Sequence, residues 1–175
     1  TPLSAYTSAT SPVPEEQWMD HAVVARALHL LGVVLWIGGV GFVTTVLLPA
    51  VRRMKSAEER VAFFEAVESR FAWQARVTTL LVGGTGLYLV ERWNLWDRFQ
   101  SPAYWWMHAM LLVWLVFTVM LFIAEPLFLH RRFLEAARHR PDATFRLIER
   151  MHWVLLAISL ATVLGAVAGS HGWAF

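Results

Sequence analysis

Four long apolar runs alternate with shorter charged stretches along the chain. The first goes from about Ala27 to Val51 and is closed by Pro49 and the basic string Arg52-Arg53-Met54-Lys55. The second covers about 71–90, interrupted only by Gln74 and Arg76 near its start. The third covers about 103–124 and stops at Glu125-Pro126, and the fourth covers about 151–170. Each approaches the roughly 20 residues needed to cross about 30 Å of hydrocarbon. Backbone groups in lipid must pair within their own segment, so the runs predict four transmembrane helices. The expected fold is an all-α membrane protein, a four-transmembrane-helix bundle, with no internal repeat.

The flanking segments read differently. Residues 1–19 are polar and rich in Pro and Ser, with no basic region leading into an apolar core. They predict a flexible extracytoplasmic tail ahead of a membrane domain at 20–175. Segments 57–70 and 131–149 mix charge with apolar residues at helical spacing (Phe63, Phe64, Val67; Phe133, Leu134, Phe145). These are expected to extend the helices into water or to lie on the membrane surface.

Composition supports the membrane reading and removes much else. Of the 175 residues, 57% are hydrophobic and 16% charged, with a mean hydropathy of +0.48. A soluble domain carries about 25% charge. The chain has no cysteine, which excludes disulfides, thiolate metal sites, iron–sulfur clusters and covalent c-type haem. A net charge of +2 could suggest a nucleic-acid partner, but the distribution of the bases argues for a bilayer instead. Twelve of the fifteen Lys and Arg residues fall in or beside the two connections that follow the first and third runs. Only Arg26, Arg92 and Arg98 remain for the opposite side. The positive-inside rule then puts both termini and the 91–102 loop outside, in a multi-pass protein of a bacterial cytoplasmic (inner) membrane. Trp93, Trp96, Tyr104, Trp105, Trp106 and Trp173 fall at the outer interface, where an aromatic belt belongs.

Histidines within apolar runs carry the candidate chemistry, because ionisable residues in a bilayer are costly. His29 lies 20 residues before Pro49. His108 lies in the first turns of the third run, and His171 at the outer end of the fourth. At 1.5 Å per residue these three share roughly one layer in the outer half of the membrane. His130 and His152 sit at the cytoplasmic face, and His21 and His139 in water. Two histidines at one depth on different helices, without cysteine, suit the axial ligation of haem b in a helix bundle. His29 and His108 are the expected axial ligands of the haem iron. His171 is the reserve ligand or an interfacial residue. A second haem near His130 and His152 is a weaker alternative to a solvated role for both. Gly32, Trp36 and Gly39 follow His29 on one helical face, and Gly83, Gly84, Gly86, Gly165 and Gly169 mark two other spans. These glycines either make room for a porphyrin or permit tight helix packing. Arg26, Arg92 and Arg98 either pair haem propionates or anchor the interface.

The string His29-x-x-Gly32-x-x-x-Trp36-x-Gly38-Gly39 resembles the first helix of the copper resistance protein D (CopD)-like membrane proteins. Leu81-Val82-Gly83-Gly84-Thr85-Gly86 looks like that family's second span. Trp106-Met107-His108-Ala109-Met110-Leu111 is similar to the W-x-H-x-K-L motif of the related HemJ-type protoporphyrinogen oxidases. The resemblance covers about residues 22–170. It implies a four-helix unit with haem-binding or metal-handling histidines, and a haem b held by the first-span His. Met110 stands where the HemJ-type motif has Lys, and the only lysine of the chain is Lys55.

Three functions compete on these readings. The first is a membrane haem b protein passing electrons between the quinone pool and a redox partner at the outer face, as a subunit of a larger complex. The second is copper transport or resistance of the CopD type. Its support is thin, since only Met107, His108 and Met110 cluster among the soft ligands. The third is a HemJ-like protoporphyrinogen oxidase, against which the missing lysine counts. Glu125 is a candidate for a quinone proton path or a helix-end residue in water.

Overall fold

The computed structural model describes residues 15–173, which are helical apart from short turns and form no strand. Helix α1 (Glu15–Phe42) runs through a π-helical turn at Val43–Leu47 into α2 (Leu48–Arg52). Helix α3 (Ala57–Arg92) returns the chain, and two 3-10 turns at Trp96–Gln100 and Pro102–Tyr104 form the next connection. Helix α4 (Trp105–Val119) widens into a π segment at Met120–Leu129, then α5 (His130–His139) and α6 (Pro141–Ser170) complete the chain. The tail expected at 1–19 lies outside the described residues up to position 14, and α1 already begins at Glu15.

Three segments are long and apolar enough to cross a bilayer: His21–Arg52, Pro102–Leu127 and Pro141–Ser170. They mark a multi-pass membrane protein. Helix α3 differs in kind. It carries Gln74, Arg76, Thr78, Thr79 and Thr85 through the stretch read as the second span. Its buried positions include Ala75, Thr78, Thr79 and Val82, while Trp73, Val77, Leu80 and Leu87 are exposed. The apolar face of α3 therefore points outward and its small and polar face lies against the other helices. That arrangement is expected where lipid surrounds a bundle and small residues let backbones approach.

The segment 57–70 does extend the following helix, since α3 is continuous from Ala57. Ser56 starts it as a capping residue, with its hydroxyl oxygen accepting from the Glu59 backbone N–H at 3.3 Å. Asn94, at φ +48°, ends the helix by taking the left-handed conformation that asparagine tolerates. The 131–149 segment divides between α5 and the first turns of α6. Rings of Phe64, Phe133 and Phe145 meet at centroid distances of 5.2–5.9 Å and clasp α3, α5 and α6 together. Phe63 stays exposed. Ion pairs Arg52–Glu149 and Arg60–Asp142 tie the same end of the bundle.

Two prolines explain the wide turns. Pro49 and Pro126 have no N–H to give to the carbonyl four residues earlier, and their rings crowd it. The regular ladder fails there, and the backbone widens just before Pro49 and around Pro126. Thr44 and Thr45 turn their hydroxyls onto the carbonyls of Val40 (2.7 Å) and Gly41 (2.8 Å) beside the first of these turns.

Most glycines of the bundle seat a neighbour's side chain. A Cβ at Gly83 would lie 2.6 Å from the Trp114 ring, whose indole N–H donates to the Thr79 carbonyl at 2.9 Å. Gly165 and Gly169 receive Trp105 and Trp106, Gly39 receives Phe71, and Gly32 receives Val82. Tight packing, rather than room for a plate, is what these positions provide. Gly83→Ala should therefore destabilise the protein by about 1–3 kcal/mol, the usual cost of overpacking. Gly84→Ala, with nothing within 4 Å of its Cβ, should be neutral or stabilising by up to about 1 kcal/mol. Detergent-solubilised thermal melts of the two variants check the contrast.

Candidate functional site

His29 of α1 faces α3. Its Nδ1 lies 3.1 Å from the Val82 carbonyl and 3.1 Å from the Thr85 hydroxyl oxygen. The Thr85 hydroxyl donates its own proton to the Leu81 carbonyl at 2.6 Å, so both neighbours of Nδ1 act as acceptors. Nδ1 therefore carries the ring proton, and Nε2 keeps a lone pair. An imidazole held this way is the form that ligates metals. Gly86 borders the ring, and a Cβ there would lie 3.1 Å from Cε1. Local sequence makes this seat: Thr85 sits one turn beyond Leu81, and the glycine follows directly.

The other candidate ligands lie elsewhere. His108 is exposed on α4, with Nε2 donating to the Phe99 carbonyl at 3.0 Å and its ring edge-on to Phe99 at 5.5 Å. His171 is exposed in the turn that closes α6, its Nδ1 2.8 Å from the Val167 carbonyl. His29, His108 and His171 thus take their partners from three different segments: α3, the 3-10 connection and α6. Among the described residues, no group of three or more His, Asp or Glu side chains is arranged to hold a metal ion. Arg26 is exposed one turn before His29, and Arg98 stacks over the Tyr104 ring at 5.0 Å. Met107 is buried while His108 and Met110 are exposed, which divides that cluster between two faces of α4.

A second feature lies in the half of the bundle nearer the basic connections. A partly open cavity of about 210 Å³ is lined by α1, α3, α4, α5, α6 and both π segments. Its walls are mostly apolar and aromatic, and its polar members are Glu68, Glu125 and His152. Both wide turns contribute: Val43 and Leu47 from the first, Met120, Leu121 and Glu125 from the second. Glu125 is paired with Arg76, which also donates to the Leu121 carbonyl at 3.1 Å. His152 donates from Nδ1 to the Ile148 carbonyl at 2.9 Å, which leaves its Nε2 as an acceptor. Glu68 sits one turn before the stretch read as the second span. Burial pushes its carboxyl up to about 7, with smaller contributions from the charges of Glu125 and Glu65.

The structure leaves His29 half-buried against α3, and sequence reasoning missed Glu68 and the partnership of Arg76 with Glu125. Arg76 and Glu125 are 49 residues apart, and no local spacing joins them. One signal was present. Two opposite charges, each interrupting an apolar run, are better explained as a pair than as two separate boundaries. No protein-family model, curated protein or solved structure matches the chain.

The Glu68 carboxyl gives a stability prediction. Its folded-state value lies above the ordinary 4.5, so the folded protein holds the proton more tightly than the unfolded chain. Stability contributed by this group is therefore greatest below about pH 4.5 and is lost as pH rises towards about 7. Glu68→Gln should match the original protein near pH 4.5 and melt about 2–4 °C higher at pH 8, the shift that about 1 kcal/mol gives at this chain length.

Proposed function

We propose that this chain is a four-span haem b protein of a bacterial inner membrane. In this reading it carries electrons between the quinone pool and a redox partner at the outer face, as a membrane subunit of a larger complex. The observation that carries it is the state of His29. It is an imidazole within a membrane-crossing helix, its proton committed to the Val82 carbonyl and the Thr85 oxygen, with Nε2 left for iron. Haem b, when bound, supplies one-electron transfer at a potential set by its ligands and surroundings. The residues of this chain would hold and orient it. Val82 and Thr85 fix the His29 ring, and Gly86, without a Cβ, lets the ring lie close against α3. Arg26 offers a guanidinium at the outer boundary, where propionates would meet water. His108 would be the second residue to hold the iron in this reading, in exchange for its bond to Phe99.

Helix α3 is the second of the four crossings in the proposal. Its outward face is apolar, and the one charge of its 71–90 stretch, Arg76, is answered by Glu125. The basic connections then lie in the cytoplasm and both termini outside. A copper pathway gains nothing from the division of Met107 from His108 and Met110, and an oxidase of the HemJ type would lack its lysine at Met110.

Absorption spectra of the purified protein test the cofactor. Low-spin b-type bands are expected, and His29→Ala should abolish them or turn them high-spin. His108→Ala should give a high-spin spectrum, while His152→Ala should leave the bands intact. A colourless protein would remove the proposal. Retention of low-spin bands in His108→Ala, with loss in His171→Ala, would move the second ligand to α6. For the orientation, reporter fusions at positions 57 and 140 should both read as cytoplasmic.

A further inference from the structure

We infer that the inner cavity is a binding site for the ring of a membrane-soluble quinone, with Glu68 and His152 as its polar partners. The volume sets the size of the occupant. An apolar cavity of about 150 Å³ accepts a benzene ring. The 210 Å³ here accommodates a single ring with small substituents and is too small for a four-ring porphyrin plate. Rings of Trp36, Phe64, Phe71, Phe117 and Phe133 line it, which suits the faces and edges of a flat ring.

The polar groups narrow the chemistry further. A protonated Glu68 donates to a ring carbonyl, and the Nε2 of His152 accepts from a ring hydroxyl. One donor and one acceptor match a molecule that exchanges carbonyl for hydroxyl oxygens. Glu125, the third polar member, is already occupied by Arg76. An ionised fatty acid carries only acceptors and would leave the Nε2 of His152 without a donor. Trp36 adds an independent observation. It lines the cavity, and its indole N–H is buried without a hydrogen-bond partner. A ring oxygen at that end of the cavity would satisfy it.

Glu68 also makes the site sensitive to pH. The groups around it are Glu65 on its own helix, Arg76 with Glu125, and His152 of α6, while α1 and α5 contribute no titratable residue to the cavity. Oxidised quinone needs the neutral acid, so its affinity should fall as pH rises through about 7. The inference rests on the electron-transfer reading only for the choice of a quinone among small rings. The cavity itself does not depend on haem.

The test is equilibrium binding of a radiolabelled benzoquinone with one isoprene unit to the full chain in phosphatidylcholine nanodiscs, corrected for empty discs. Haem bands are recorded on the same samples. Saturable binding of one probe per chain is expected, at least threefold weaker at pH 8 than at pH 6. Ala75→Leu places bulk at a buried cavity wall and should weaken binding at least tenfold without altering the haem bands. Glu68→Gln keeps a donor and should bind equally at both pH values, which serves the test even if Ala75→Leu does not fold. Absence of saturable binding, unchanged binding in Ala75→Leu, a Glu68→Gln profile like that of the original, or equal displacement by decanoate would overturn the inference. Quinone binding by a colourless protein would count against the haem reading alone. Haem bands without quinone binding would count against this inference alone.

Discussion

An arginine half-buried between helices is best answered from within the protein, and the answer to Arg76 organises much of this structure. Its guanidinium reaches both the Glu125 carboxylate and the Leu121 carbonyl on the π segment that follows α4. A carbonyl inside a regular α-helix already has its partner four residues on. Pro126, lacking an N–H, disturbs that ladder and helps explain why a carbonyl is left to accept from a side chain. The charge on α3 and the proline after α4 are thus two halves of one solution. The pair also fixes α3 against the chain beyond α4 and builds one wall of the inner cavity. Removing one partner alone would leave an uncompensated charge, the costly way to break such a pair.

The broad architecture was legible because apolar length is a strong signal. Three of the four runs stand out as membrane-crossing segments by length and hydropathy. The run at 71–90 is less apolar because its threonines, Gln74 and Arg76 serve contacts within the bundle, which a one-dimensional pattern cannot distinguish from exposure to water. The mixed segments at 57–70 and 131–149 are helical, as either extensions or surface helices would be, and the phenylalanine clasp gives several of their apolar positions a purpose. The glycines had two open readings. Neighbouring tryptophans decide most of them in favour of packing, since ring placement depends on partners far away in sequence.

The candidate site was only half readable. His29 stood out because a polar ring in an apolar helix has to be hydrogen-bonded or to bind something, and its Nδ1 bonds accommodate both outcomes. Depth along a helix was the ground for grouping His29 with His108. It carries no information about azimuth, and the two rings take up partners on different segments. Glu68 was overlooked because it lies in a stretch rich in charges, where one more carboxylate does not attract notice. Only the fold reveals that it borders a cavity while Ser69 and Arg70 beside it are exposed.

The π turn at Val43–Leu47 has a consequence for how this sequence can be changed. A helical face counted from His29 holds through Gly32, Trp36 and Gly39, and then the count breaks. Each α-helical residue turns the chain by about 100°, so an extra residue absorbed in a wide turn rotates everything beyond it by about that much. The sides on which Leu48, Val51 and Arg52 emerge are therefore set by Thr44, Thr45 and Pro49 rather than by distance from the histidine. Above the turn and below it, the first membrane helix behaves as two separately indexed rods. Relatives that lengthen or shorten the chain by one residue near Gly41 could keep both rods intact by gaining or losing the turn itself.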